Sequence, residues 1–296
     1  MRVFVTGANG FIGSAVVKEL MDAGHQVLGL SRSDAGAKAL KDAGAEVLRG
    51  DITNAENLRE GATKSDAVIH TAFNHDFSKF VENCESDRNV IGTLGEALAG
   101  TDKLLIVSSG TALAQCAPGA LGTENDPPIS SQQFPRAASE EATMALADKG
   151  VRVAVVRLSQ IHDTEKQGLV SFAIQIAREK GVSAYVGDGK NRWSAAPRWD
   201  TARLYRLALE KTGKRAIYHA VAEEGVPVLD IATVVGRGLK VPVKSLTPSE
   251  AAAHFGWLGH FAGLDIRSSS ALTRQQLGWN PTGPSLITDL ENMRYS

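Results

Sequence analysis

Along the first half of the chain, short apolar and β-branched runs alternate with stretches whose apolar residues recur at helical spacing. The runs fall at 2–6, 26–30, 46–49, 66–70, 103–107 and 151–157; the helical stretches at 11–23, 34–43, 54–62, 77–99 and 137–149. Runs that are apolar throughout fit strands buried on both faces, and strand–helix alternation predicts βαβ units with right-handed crossovers. The expected fold is therefore α/β, a doubly wound parallel sheet of the Rossmann type.

The rhythm changes after residue 158. Helices are predicted at 168–180, 200–211, 227–238 and 248–254, a turn-rich loop at 185–192 and one more strand at 216–219. Asn280-Pro281 and Gly283-Pro284 mark a stop before a last helix. We expect 1–158 to form the Rossmann domain, with 200–222 returning to it. Segments 159–199 and 223–296 would then form a smaller C-terminal substrate lobe over the carboxyl edge of the sheet.

Composition narrows the function. A net charge of −1 without basic runs argues against nucleic acid or an anionic membrane surface as partner. With strand-like residues from Arg2 onward no leader is expected, and no apolar stretch approaches the roughly 20 residues of a membrane span. Cys84 and Cys116 have neither metal nor redox spacing, so a reducing, cytoplasmic setting and no metal site are expected.

The strongest chemical signal is Thr6-Gly7-Ala8-Asn9-Gly10-Phe11-Ile12-Gly13, between the first strand and first helix. Gly7 permits a tight turn, Gly10 lets backbone approach a pyrophosphate, and Gly13 allows close helix–strand packing. The following helix would offer unpaired N–H groups and a positive dipole end to the phosphates, with Asn9, Phe11 and Ile12 alongside. At the end of the second strand stands Leu30-Ser31-Arg32-Ser33-Asp34. Arg32 can fork onto a ribose 2′-phosphate with Ser31 and Ser33 donating, which favours NADP(H) over NAD(H). In the other reading Arg32 is solvated and Asp34 serves the ribose, although Asp34 suits capping the next helix.

The spacing Gly-x-x-Gly-x-x-Gly resembles that of the extended short-chain dehydrogenase/reductase superfamily, which includes sugar-nucleotide epimerases and dehydratases. Similar segments span the chain: Gly50-Asp51-Ile52-Thr53, His70-Thr71-Ala72, Asn89-Val90-Ile91-Gly92-Thr93, Arg198-Trp199-Asp200-Thr201-Ala202 and Leu277-Gly278-Trp279-Asn280-Pro281. The resemblance implies that Asp51 and Ile52 meet the adenine. It also implies that Thr71, Ala72 and Phe73 lie under the cofactor and Leu158 beside it.

The resemblance also implies a Tyr-x-x-x-Lys pair on the helix after the fifth strand and a hydroxyl at that strand's end. No tyrosine lies between 110 and 150, and none in the chain precedes a lysine by four. Placing Glu140 on the family glutamate puts Arg136 at the lysine and Gln132 at the tyrosine; a four-residue slip puts Arg136 at the tyrosine. In either register Arg136 can bind a carboxylate, phosphate or developing oxyanion but cannot act as base; otherwise it pairs with Glu140 at i+4. Gly110 takes the place of the hydroxyl, leaving Ser109 and Thr111 beside it as candidates, or as turn residues. His162 is a catalytic candidate on the loop after the sixth strand, and His75 and Trp193 are candidate substrate contacts. Each can also be read as an ordinary loop or packing residue, and His219 as a core residue.

Three functions stand open at this point: an atypical NADP(H)-dependent oxidoreductase acting on a small organic carbonyl, imine or enone; a non-catalytic NADP(H) sensor; and a sugar-nucleotide epimerase or dehydratase. A homodimer through 77–99 and 137–149 is expected from the small-residue face of 137–147.

Overall fold

The computed structural model describes residues 1–117 and 119–295. Strands and helices alternate from the start: β1 (Arg2–Thr6), α1 (Phe11–Asp22), β2 (Gln26–Ser31), α2 (Asp34–Asp42), β3 (Glu46–Arg49), α3 (Ala55–Thr63) and β4 (Ala67–His70). Then follow α4 (Phe80–Leu98), β5 (Leu104–Gly110), α5 (Ala138–Asp148), β6 (Arg152–Leu158) and β7 (Gln160–His162). The remainder comprises α6 (Gly168–Lys180), β8 (Ser183–Val186), β9 (Arg192–Pro197), α7 (Arg198–Lys211), β10 (Arg215–Ala220), β11 (Glu223–Pro227), α8 (Val228–Leu239), β12 (Val243–Leu246), α9 (Pro248–Phe255), α10 (Gly259–Ala262), α11 (Ala271–Leu277) and α12 (Leu286–Asn292).

Seven strands form one parallel sheet in the order β10-β6-β5-β4-β1-β2-β3. Residues alternate between its two covered faces. Val3, Val5, Ile69, Ile106 and Val156 pack with α1 and α7, while Phe4, Val68, Leu105 and Val153 pack with α3, α4 and α5. Burial on both sides is why these strands read as continuous apolar runs. The order reverses between β1 and β4, which opens a crevice at the carboxyl ends of the strands.

Beyond β6 the chain builds two small sheets, β11-β9-β7 and β12-β8, around separate apolar clusters. The turn read at 185–192 is shorter than expected, since β8 occupies its start and β9 its end. Gly187 and Gly189, at φ +61° and +66°, carry the reversal between them. Periodicity could not reveal strands this short, with polar residues at their ends. β10 then returns to the main sheet beside β6. Trp279 is buried; its indole N–H donates to the Asp200 carbonyl at 2.8 Å, while the Asp200 carboxylate accepts from the Thr282 and Gly283 amides at 3.0 and 2.7 Å. These bonds tie the last segment to the start of α7. Among the described residues no helix is long and apolar enough to cross a membrane.

Candidate functional site

The crevice opens at the β1–α1 turn. Gly7 has φ +67°, and a Cβ there would lie 2.6 Å from the Ala72 amide nitrogen. A Cβ on Gly13 would run into the Gly7 carbonyl. Both contacts are with backbone, so the turn admits only glycine at these positions. Thr71 fastens the neighbouring strand end, its hydroxyl donating to the Thr6 carbonyl at 2.8 Å. Asn9 Nδ2 donates to the Gly36 carbonyl at 2.8 Å, bridging the turn to α2. Among the described residues no side chain caps the N-terminus of α1, so its first amides stay available to an anion.

At the end of β2, Ser31 is buried and Ser33 Oγ accepts from the Gly36 amide at 3.1 Å. Ser33, not Asp34, is therefore the cap of α2, and Asp34 is its first helical residue. The Arg32 side chain is 83% exposed, with its guanidinium 3.8 Å from Asp51. Asp51 accepts from both the amide and hydroxyl of Thr53 at 2.9 Å. The Thr53 amide is the main reason its carboxyl titrates below the usual range, with Arg32 contributing. Ile52 is half-buried beside it.

Where β4 and β5 end, the site is made of side chains. Buried His70 lies between Thr6 Oγ1, 2.6 Å from Nδ1, and Asp87 Oδ1, 2.8 Å from Nε2. Asp87 Oδ2 accepts from Ser139 and, at 3.3 Å, from Arg136 Nη1. Burial pushes the Asp87 carboxyl up, but His70, Arg136 and Ser139 together hold it below the ordinary value. Arg136 Nη2 donates to the Ser108 carbonyl at 3.1 Å, and its guanidinium sits 4.2 Å over the Phe73 ring. Ser108 Oγ donates to the His70 carbonyl at 2.8 Å and lies 2.6 Å from Tyr205 Oη. Arg136 is thus fixed at the carboxyl end of β5, stacked on the Phe73 ring.

Several candidates occupy other surroundings. Arg136 does not pair with Glu140. That carboxylate is fully buried with Arg157, whose Nη2 donates at 2.5 Å, and it also accepts from Ser109 Oγ at 3.0 Å. The Ser109 hydroxyl is therefore spent on a buried ion pair. Thr111 is buried, 3.4 Å from both the Leu158 carbonyl and Ser194 Oγ. His162 lies in β7 rather than on a loop and is fully buried, Nδ1 2.7 Å from Asp289 Oδ2 of α12. Trp193 is 3% exposed and packs in the core formed by Val170, Ile174 and Val226. His219 is a core residue, bonded to the Ser269 carbonyl at 2.8 Å.

Phe73 and His75 belong to a ring of aromatic contacts that sequence reading did not find. His75 meets Phe73 and Phe77 edge-on, and partial burial, then Lys166 and Arg136, lower its pKa. Phe77 stacks on Trp257 at 3.8 Å and Phe80 approaches Phe134, which lies parallel to His260. These rings come from three distant segments, 73–80, Phe134 and 257–260, so no local pattern marks them. Asp87 was also missed, as was Arg198, whose guanidinium donates to Ser14 at 2.7 Å and lies 4.6 Å over Phe11. Among the described residues no cluster of three His, Cys, Asp or Glu could hold a metal ion.

Residues 3–221 match the model of a family described as the NAD dependent epimerase/dehydratase family. A similar protein, described as uncharacterized, occurs in Schizosaccharomyces pombe; it is 46% identical over 300 residues, covering 100% of both chains. A 2-alkyl-3-oxoalkanoate reductase of Stenotrophomonas maltophilia is 29% identical over 71% of this chain and 66% of its own. Among solved structures, a UDP-glucose 4-epimerase of Thermus thermophilus in complex with NAD superimposes with a TM-score of 0.76 at 20% identity, covering 100% of this chain and 98% of that one.

Proposed function

The chain belongs to the NAD dependent epimerase/dehydratase family, and from that premise we propose that it is an NADP(H)-dependent oxidoreductase acting on a small organic carbonyl, imine or enone. One observation carries the reading. The glycine-only turn before an uncapped α1 and the fixed guanidinium of Arg136 lie at two ends of the same crevice. The turn fits a dinucleotide because its glycines let backbone close on backbone, Gly7 against Ala72 and Gly13 against Gly7, which sets the uncapped first amides of α1 where a pyrophosphate can approach them. Gly7, Asn9, Gly10, Phe11, Ile12 and Gly13 would hold that group. Ser31, Arg32 and Ser33 would hold a ribose 2′-phosphate, Asp51 and Ile52 the adenine, and Thr71, Ala72, Phe73 and Leu158 the nicotinamide side. The reductase from Stenotrophomonas supports ketone reduction as the class of chemistry.

When bound, the reduced nicotinamide supplies a hydride. Arg136 donates N–H bonds to the substrate oxygen and stabilises the charge that develops there, while the proton that completes the alcohol comes from water, because guanidinium does not release one. Asp87 keeps Arg136 in place and compensates its charge. The aromatic ring contacts keep water from the apolar side of the substrate. We read the protein as cytoplasmic, with a small molecule as partner and a second copy joined through α4 and α5.

A sensor role is the second reading, favoured by the engaged hydroxyls of Ser109 and Thr111. Following NADPH oxidation with a panel of ketones, imines and enones separates the two. Turnover that falls on the order of 100-fold in Arg136→Ala supports the enzyme. Tight NADPH uptake without turnover of any panel member supports the sensor. Interconversion of UDP-glucose and UDP-galactose without net nucleotide change would support an epimerase instead.

A further inference from the structure

The corner at the end of β2 contains a second guanidinium. Arg49, the last residue of β3, reaches across from the neighbouring strand. Its Nη1 donates to the Ser33 carbonyl, and its Nη2 donates to the Arg32 carbonyl at 3.3 Å and to Asp34 Oδ1 at 2.8 Å. The register that pairs Ser31 with Arg49 puts the arginine under this loop. A planar fork suits such a target, three acceptors from three consecutive residues; an ammonium cannot reproduce it.

Asp34 is the first carboxylate after β2, in the region where a dinucleotide site selective for NAD(H) presents one to the ribose 2′-hydroxyl. Here the Asp34 side chain is fully exposed and its charge is held by Arg49. The groups left around the corner are of the opposite kind. Ser33 Oγ accepts from the Gly36 amide and keeps its own proton to donate, and the buried Ser31 hydroxyl, donating to the Ser33 carbonyl at 3.2 Å, braces the loop beneath it. The Arg32 guanidinium extends beside them, its one ionic partner among the described residues the loosely placed Asp51.

We propose that Arg49 sets the dinucleotide preference of this protein. It draws the Asp34 carboxylate out of the corner and braces the Arg32 and Ser33 carbonyls, so that Arg32 and the Ser33 hydroxyl face a 2′-phosphate. The inference rests on the NADP(H) reading above. Arg49 is a positioning residue in it: discrimination comes as much from removing a repulsive carboxylate as from adding a cation.

Calorimetric titration of NADPH and NADH into the wild-type chain, Arg49→Leu, Asp34→Asn and the double variant tests this. Arg49→Leu is expected to weaken NADPH roughly tenfold, as for coupled neighbouring residues, and to leave NADH unchanged or tighter. Asp34→Asn alone changes little, and added to Arg49→Leu it restores most of the NADPH affinity. A loss shared equally by both nucleotides in Arg49→Leu, or no recovery in the double variant, overturns the inference alone. Should Arg49→Leu fail to fold, Arg49→Lys carries the test. It keeps the charge but not the fork, and an unchanged NADPH-to-NADH ratio overturns the proposal. Uptake of neither nucleotide by the wild-type chain overturns the cofactor reading, and this inference with it.

Discussion

The turn between β1 and α1 and the end of β5 face the same crevice but are built differently. At the turn, the important groups are backbone atoms: the Gly7 and Gly13 positions, the Ala72 amide and the free amides of α1. At the end of β5, the important groups are side chains linked in a buried network, from Thr6 through His70 and Asp87 to Arg136, with Glu140 and Arg157 alongside. Backbone geometry demands particular residue types at particular spacings. A side-chain network can be assembled from any complementary groups that the fold brings together, so its members can change while its position stays.

The sharpest way to break this contrast is at Gly13. A valine there drives a side chain into the Gly7 carbonyl, and we expect a loss of at least about 3 kcal/mol in unfolding free energy, together with loss of nucleotide uptake. Urea denaturation measures the first and calorimetry the second. A Gly13→Val chain of wild-type stability that still takes up NADPH would show that the turn is not backbone-limited. Asp87→Ala probes the other region. It leaves His70 and Arg136 facing a buried gap, and the expected cost is about 3 kcal/mol, the lower end for breaking a buried pair. A loss below about 1 kcal/mol in the same denaturation assay would mean the network is loosely held.

Acid titration tests the side-chain region more gently. Burial, then the nearby Arg157 against the opposing Glu124, lowers His219 from 6.5 to about 4. The folded state therefore prefers the neutral imidazole. Its contribution is complete above pH 6.5 and is lost as pH falls toward 4, because the unfolded chain takes up the proton first. His219→Asn is expected to flatten that limb of the stability profile, measured by denaturation at a series of pH values; an unchanged limb assigns it to other groups. The smallest effect has the opposite sign. Gly92, in the interior of α4, has open space around its missing Cβ, so Gly92→Ala should raise stability by about 0.5–1 kcal/mol in thermal unfolding. A loss there would mean that this glycine, too, is required by its backbone.

The same contrast explains what could be read in advance. The parallel sheet was legible because strands such as Val3–Val5 and Leu104–Val107 are buried on both faces, and the glycine turn because sterics leave no substitute. The return of β10 was visible in the apolar run 216–219. Strands β7, β8, β11 and β12 were not visible, being three to five residues long and half polar. Glu140 held by Arg157 and His162 against Asp289 depend on which distant residues meet, and spacing along the chain carries no record of that; the cap of α2 is local, but Ser33 and Asp34 are both capping residue types and only the backbone chose Ser33. Asp87 gave no signal either, since a carboxylate in mid-helix looks like any solvated one until His70 and Arg136 are placed around it.

The position of β3 has one more effect. It is one of the two outer strands of the seven, and it spans only Glu46–Arg49, with a carboxylate at one end and a guanidinium at the other. At roughly 3.3 Å per residue it exposes about 13 Å of unpaired ladder, flanked by charge on both sides. A foreign strand gains few hydrogen bonds there and must dehydrate ions to make them. Runaway strand addition is thereby discouraged at this border.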